Sequence, residues 1–228
     1  MASTDFEKAL EDLYAAFAVA RPRHIDGCPC CVDKRNVDVL LSKPLRKLTA
    51  EDLHGYASGV FLTVGALGDY FYLLPRLLEL SAVGPRWTLD PQIVVGRLRH
   101  AEWEYWSDVR RGAIVSFLDA WFDQALALAA SDEGGFGPGG LIADLLCGVA
   151  MAKLDIAPYL ERLRAQGAVV TDLYWRFGDL AVEGRGPTGF WEDAPDGWAR
   201  LMAFMNEPEV FDIVARVSGI FPRKAEGS

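Results

Sequence analysis

Apolar positions recur at helical spacing along almost the whole chain. Phe6, Leu10, Leu13 and Phe17 fall four, three and four residues apart, which places them on one face of a helix. Ser3 or Thr4 stands where an N-cap belongs. Pro22 is expected to end this helix, because a proline pushes the residue before it out of the α region. A loop follows from Pro22 to Gly27, and a helix is predicted over Pro29–Ser42. Val37, Val39, Leu40 and Leu41 supply its apolar content, and Pro44 stops it. Thr49-Ala50-Glu51-Asp52 has the form of a capping box with Asp in place of Glu. It opens a helix through Leu53, Tyr56, Val60 and Leu62 that runs out near Gly65.

The next helix is expected from about Asp69, with Leu77, Leu78 and Leu80 on its apolar face. Pro75 inside it would free the carbonyl of Phe71 and kink it, unless a new helix begins there. Asp90-Pro91 pairs a cap with proline at the first helical position. A long helix is predicted over Ser107–Ala130, striped by Ile114, Phe117, Leu118, Trp121, Ala125 and Leu128. After a glycine-rich loop at Gly134–Gly140, helices are expected near Leu141–Leu154, Asp155–Ala165 and Val169–Val182. Glu183–Pro195 reads as a second breaker region. Asn206-Glu207-Pro208-Glu209 reads as a last capping box before Val210, Phe211, Ile213, Val214 and Val217. No stretch alternates as a strand would. The prediction is a single all-α domain over residues 1–228, built as an irregular multi-helix bundle. Stacked helical hairpins are the alternative arrangement, but they call for a repeat of about 30–50 residues, and none is visible.

Composition narrows the function classes. The chain has 228 residues, 51% of them apolar, with 23 Lys and Arg against 32 Asp and Glu and a net charge of −9. That apolar share is too high for disorder, and the length suffices for a core without disulfide staples. The acidic balance argues against a nucleic-acid surface, which needs clustered cations, and against a polybasic membrane anchor. Charges appear from Asp5 onward with no apolar leader region behind them. The longest uncharged stretch, Gly55–Gly68, is shorter than the roughly 20 residues of a membrane span. A cytoplasmic location is expected, and four cysteines do not make a secreted disulfide framework.

Three of those cysteines are clustered in His24-Ile25-Asp26-Gly27-Cys28-Pro29-Cys30-Cys31. Cys28 with Cys31 forms a C-x-x-C, and Cys28 with Cys30 a C-x-C. With Pro29 at a first helical position, Cys28 would be the N-cap and Cys30 and Cys31 would lie in the first turn. Unpaired N–H groups and the helix dipole there stabilise thiolates. One reading is a zinc site, since zinc takes four N or S ligands. His24, Cys28, Cys30 and Cys31 are the candidate ligands, with Cys147, His54 or His100 able to complete the set. A second reading is thiol redox chemistry, although thioredoxin-like C-x-x-C sites follow a strand. The third is a packed helix entry in which the cysteines are small apolar residues.

Other constellations carry less. Gly135-Phe136-Gly137-Pro138-Gly139-Gly140 matches G-x-G-x-x-G by letter, but a dinucleotide loop follows a strand. Glu51 and His54 form one E-x-x-H where a di-iron bundle needs two. Asp119 and Asp123 lie one turn apart and read as the solvated edge of a helix. Trp103, Tyr105, Trp106, Trp191 and Trp198 read as core first; if exposed, the first three would have an acidic rim in Glu102 and Glu104.

Gly27-Cys28-Pro29-Cys30-Cys31, Pro44-Leu45-Arg46-Lys47-Leu48, the Leu53 and Tyr56 pair, and Leu74-Pro75-Arg76-Leu77-Leu78-Glu79-Leu80 together resemble an uncharacterised family of bacterial proteins. Val64 and Tyr72 stand where the resemblance leads one to expect Trp and His. It implies no known activity. The expectation that follows is a non-enzymatic bacterial protein of immunity or adaptor type, whose acidic surface takes a basic protein partner. A structural zinc at His24, Cys28, Cys30 and Cys31 would fit that reading. The alternative is a thiol- or metal-dependent enzyme or redox sensor using Cys28, Cys30 and Cys31.

Overall fold

A computed structural model describes residues 4–28, 30, 34–84, 88–130 and 139–220. The all-α expectation holds. The described residues form eleven α-helices and four short 3-10 turns, with no strand among them and only two isolated β-bridges. The chain forms two compact units, Met1–Trp121 and Phe122–Ser228.

The first unit holds α1 (Thr4–Ala16), α2 (Lys34–Ser42), α3 (Ala50–Gly59), α4 (Leu67–Val83), α5 (Pro91–Gly96) and the first part of α6 (Asp108–Ala130). The stripe read from α1 is the buried one at Phe6, Leu13 and Phe17, and Phe6 meets Phe117 of α6 at a ring separation of 5.5 Å. Large side chains buried this completely are each worth about 1.5–3 kcal/mol. The helix ends at Ala16, well before Pro22. The proline therefore does not terminate it, and Phe17 packs from the turn beyond, against Phe71 and Trp106.

α3 begins as its capping box requires. The Asp52 N–H donates to Thr49 Oγ1 at 3.3 Å, and the Thr49 N–H donates to Asp52 Oδ2 at 2.9 Å. This satisfies two donors that a helix start otherwise leaves open. α3 stops at Gly59, earlier than expected, because Phe61 turns to φ 63°. α4 runs through Pro75 unbroken. α5 starts on Asp90, whose side chain accepts from the Gln92 N–H at 2.7 Å, with Pro91 at its first position.

The second unit holds the rest of α6, α7 (Gly140–Met151), α8 (Ala157–Leu163), α9 (Gly167–Val182), α10 (Pro195–Met205) and α11 (Pro208–Ser218). α7 is buried along nearly its whole length, which explains why it shows no polar face. α10 is the helix that the periodicity left unassigned. It starts at Pro195, the end of the expected loop, and buries Trp198, Leu201 and Met205. Trp191, Trp198 and Phe177 pack edge to face or tilted at 5.8–6.4 Å between ring centres. The capping box expected at Asn206 does not form. Asn206 Nδ2 donates back to the Ala181 carbonyl at 3.1 Å, and α11 begins after Glu207 with no side-chain cap. The long helix α6 agrees with its sequence stripe from Ile114 to Ala125, whereas Leu128 is exposed. By length and composition it is apolar enough to cross a membrane; Ile114, Phe117 and Trp121 have no exposed surface against the fold.

Candidate functional site

The cysteine segment is held in place by main-chain hydrogen bonds. Ile25 is buried and anchors it to the first unit. Beyond Ile25, Gly27 forms an antiparallel bridge with Val64. The Cys28 N–H donates to the Thr63 carbonyl at 2.7 Å, and the Gly65 N–H donates to the Asp26 carbonyl at 2.7 Å. The segment therefore rests on the turn between α3 and α4.

That turn is itself fixed from beneath. Asp69, buried at the start of α4, accepts from the Ala66 N–H with both oxygens at 3.1 and 2.9 Å. The Tyr56 hydroxyl donates to Asp69 Oδ2 at 3.1 Å. Burial, and then the Asp69 charge and this bond, push the Tyr56 phenol far above its ordinary range. Gly65 closes the turn at φ +75°, and a Cβ there would fall 2.5 Å from Asp69 Oδ2 and 2.8 Å from the Tyr56 ring. Only glycine meets both the left-handed backbone and the close approach. None of Thr63, Gly65, Asp69 or Tyr56 was a candidate on sequence grounds. The spacing from Ala66 to Asp69, an acid at the third helical position, is the signal that could have marked the turn.

The two described sulfurs converge. Cys28 Sγ and Cys30 Sγ lie 2.9 Å apart and neither is in a disulfide. A disulfide would need about 2.05 Å, and two thiolates on one tetrahedral zinc at 2.3 Å would stand about 3.7 Å apart. Each state is thus less than about 1 Å of sulfur movement away. Cys30 is exposed and Cys28 is half-buried. Cys30 lies in a turn, and α2 is described from Lys34 onward; the rest of the expected helix start, residues 29 and 31–33, lies outside the described residues. Pro29 and Cys31 lie outside the described residues.

His24 is 77% exposed, and its Nε2 faces Asp26 Oδ2 at 3.6 Å. Among the described residues, no three His, Cys, Asp or Glu side chains form a metal-sized group. His54 is engaged elsewhere, with Nδ1 donating to the Thr88 carbonyl at 2.6 Å. Cys147 is fully buried within α7.

The remaining motifs resolve into structure. Of the glycine-rich run, residues 135–138 lie outside the described residues. The Gly139 N–H donates to Asp172 Oδ2 at 2.9 Å, so a carboxylate of the protein occupies this donor. Among the described residues, the element before the run is the helix α6, and none is a strand of the kind a dinucleotide loop follows. Asp123 pairs with Arg162 at 3.0 Å. Trp103, Trp191 and Trp198 are core residues, whereas Tyr105 is 82% exposed.

No family model, curated protein or solved structure matches the chain. The likeness of Gly27–Cys31 and its companion segments to an uncharacterised bacterial family thus rests on those residues alone. Val64, one of the two departures from that pattern, is the residue that bridges to Gly27.

Proposed function

We propose that the chain is a non-enzymatic bacterial protein of immunity or adaptor type that works in the cytoplasm by binding a basic protein partner. The observation that carries this reading is the surface at the start of α6. Tyr105 is 82% exposed and Val109 71% exposed, two large apolar side chains left in water four residues apart. Glu102 and Asp108, both exposed, flank them in sequence, and Asp108 is also paired with Arg111. An aromatic anchor with an acidic rim suits a partner that brings cations to its own rim. The net charge of −9 extends the same preference beyond the patch.

The test is capture by the immobilised full chain from a bacterial lysate, at about 0.05 M and about 0.5 M salt, which differ several-fold in screening. A protein held at low salt, released at high salt, and lost from both Tyr105→Ser and the Glu102→Lys/Asp108→Lys double variant supports the reading. Capture indifferent to salt and to these substitutions contradicts it.

A second reading, a thiol- or metal-dependent sensor or enzyme at the cysteine segment, is favoured by one observation, the 2.9 Å separation of Cys28 Sγ and Cys30 Sγ. A structural zinc held by His24, Cys28, Cys30 and Cys31 is the competing occupant. It requires the two sulfurs to part by about 0.8 Å and the His24 ring to leave Asp26. Metal analysis with thiol titration separates the two. Stoichiometric zinc with shielded thiols establishes the clip, and metal-free protein with fast-reacting thiols establishes the dithiol.

A further inference from the structure

Arg110 follows Val109 in α6 and is half-buried. We propose that Arg110 is the centre of the Tyr105 surface and that it takes an acidic side chain, Asp or Glu, of the protein partner. The inference rests on the reading of Tyr105 and Val109 as a partner surface and deepens it. A basic partner must then bring one carboxylate into the midst of its cations.

The fold fixes the Arg110 guanidinium without pairing it. It lies 4.1 Å from the centre of the Phe71 ring and 5.5 Å from that of Phe17. Its Nε donates to the Ala16 carbonyl in a long hydrogen bond at 3.4 Å. Among the described residues, no group accepts from its two terminal nitrogens and no carboxylate forms an ion pair with it. By contrast, Arg46 pairs with Glu11, Arg76 with Glu79 and Arg111 with Asp108. A chain of net charge −9 has carboxylates in excess, and none of the described ones serves this cation.

The surroundings of Arg110 are apolar. Phe71 meets Trp106 edge to face at 4.9 Å between ring centres, and both rings are half-buried. Leu67, one turn before Phe71 in α4, is exposed. Leu67, Phe71 and Trp106 thus continue the apolar surface of Tyr105 and Val109 onto α4. Aromatic residues and arginine are the side chains that most often dominate a protein interface.

The chemistry selects a carboxylate. A guanidinium stacked on aromatic rings still presents its N–H donors at its edge. Two parallel N–H groups match the two oxygens of a carboxylate. The rings already hold the plane of the group, so little conformational freedom remains to be lost on binding. A partner that covers this surface strips water from the cation, which is unfavourable unless an anion replaces that water. A phosphate offers similar oxygens, but its second charge meets more repulsion from the exposed Glu102 and from the acidic chain as a whole.

The test selects a displayed random-peptide library on the immobilised full chain. Enriched peptides are then synthesised with amidated C-termini. They are expected to hold one Asp or Glu beside an apolar residue, among Lys and Arg. Changing that acid to its amide should weaken binding about tenfold. Arg110→Gln should weaken binding of the acidic peptide by a similar factor, after which the amide change should have no further effect. Arg110→Lys should recover only part of the loss, since lysine keeps the charge without the fork. Circular dichroism checks that each variant is folded, and the change on the peptide leaves the protein untouched. Enriched peptides without an acid, or an acid that matters equally in wild type and Arg110→Gln, overturn the role of Arg110. If Tyr105→Ser still abolishes their binding, the partner surface itself stands. Peptides indifferent to both Arg110→Gln and Tyr105→Ser, or no enrichment at all, overturn both.

Discussion

Cys147 and the Cys28–Cys30 pair carry the same thiol in opposite surroundings. Cys147 sits in the middle of α7, flanked by Leu145, Leu146 and Val149, with no exposed surface. Cys28 and Cys30 lie on an irregular segment reached by solvent, with their sulfurs facing each other. In the first place the residue serves as a small apolar side chain, a common role of buried cysteines. In the second, packing contributes little, and the main chain does the holding. The difference teaches that the turn beneath the pair, built on Gly65, Asp69 and Tyr56, is as much part of the site as the sulfurs.

The comparison can be broken most severely at Cys147. Cys147→Asp should destabilise the protein by about 3–5 kcal/mol or prevent folding, since it buries a carboxylate among apolar side chains. Urea denaturation measures this, and a loss below about 1 kcal/mol would show that α7 is not the dry helix described. Asp69→Ala comes next, at about 2–4 kcal/mol, because it leaves the Ala66 N–H and the Tyr56 hydroxyl without their acceptor. Gly65→Ala should cost about 1–2 kcal/mol through backbone strain and the clash with Asp69 and Tyr56; a neutral result would mean that the turn yields easily.

A smaller effect is expected at the capping box of α3, which lies outside both cysteine environments and serves as a reference. Burial raises the Asp52 carboxyl, but hydrogen bonds from Lys43 and the Thr49 N–H outweigh it and hold the group below its ordinary value. A carboxyl depressed in the folded state stabilises the protein at pH values above its unfolded pKa, and that contribution fades as pH falls through the folded one. Asp52→Asn should therefore melt below the wild type at pH 7 by the equivalent of about 1 kcal/mol. The gap should narrow as the pH drops below about 4. A gap that does not change with pH would place the stabilisation elsewhere. Smallest of all, Cys28→Ser and Cys30→Ser should each shift stability by less than about 0.5 kcal/mol. A large loss in either would give the pair the packing role that Cys147 has.

Much of the fold was legible because each helix announces itself locally. The Phe6–Leu13–Phe17 stripe, the Thr49–Asp52 box and Asp90-Pro91 are short-range patterns, and each appears in the structure where it was read. Terminations were less legible. α1 ends before Pro22 and α3 before Gly65 because the turns that close them are set by tertiary contacts, such as Phe17 on Trp106 and the left-handed Phe61. α10 escaped because its start is hidden in a loop rich in Gly and Pro. Asn206 looked like a cap, yet its side chain serves α9 through Ala181. At the cysteine segment the residues were plain and their mounting was not. The Gly27–Val64 bridge joins positions far apart in the chain, and no local pattern encodes such a pairing.

The most direct test of the contrast is alkylation of the folded, reduced protein by iodoacetamide at neutral pH, followed residue by residue by peptide mass mapping. Cys28 and Cys30 should be modified in the native protein, Cys30 first, while Cys147 stays unmodified until denaturant is added. Labelling of Cys147 in the native state at a rate like that of Cys30, or protection of Cys28 and Cys30 until unfolding, would contradict the account.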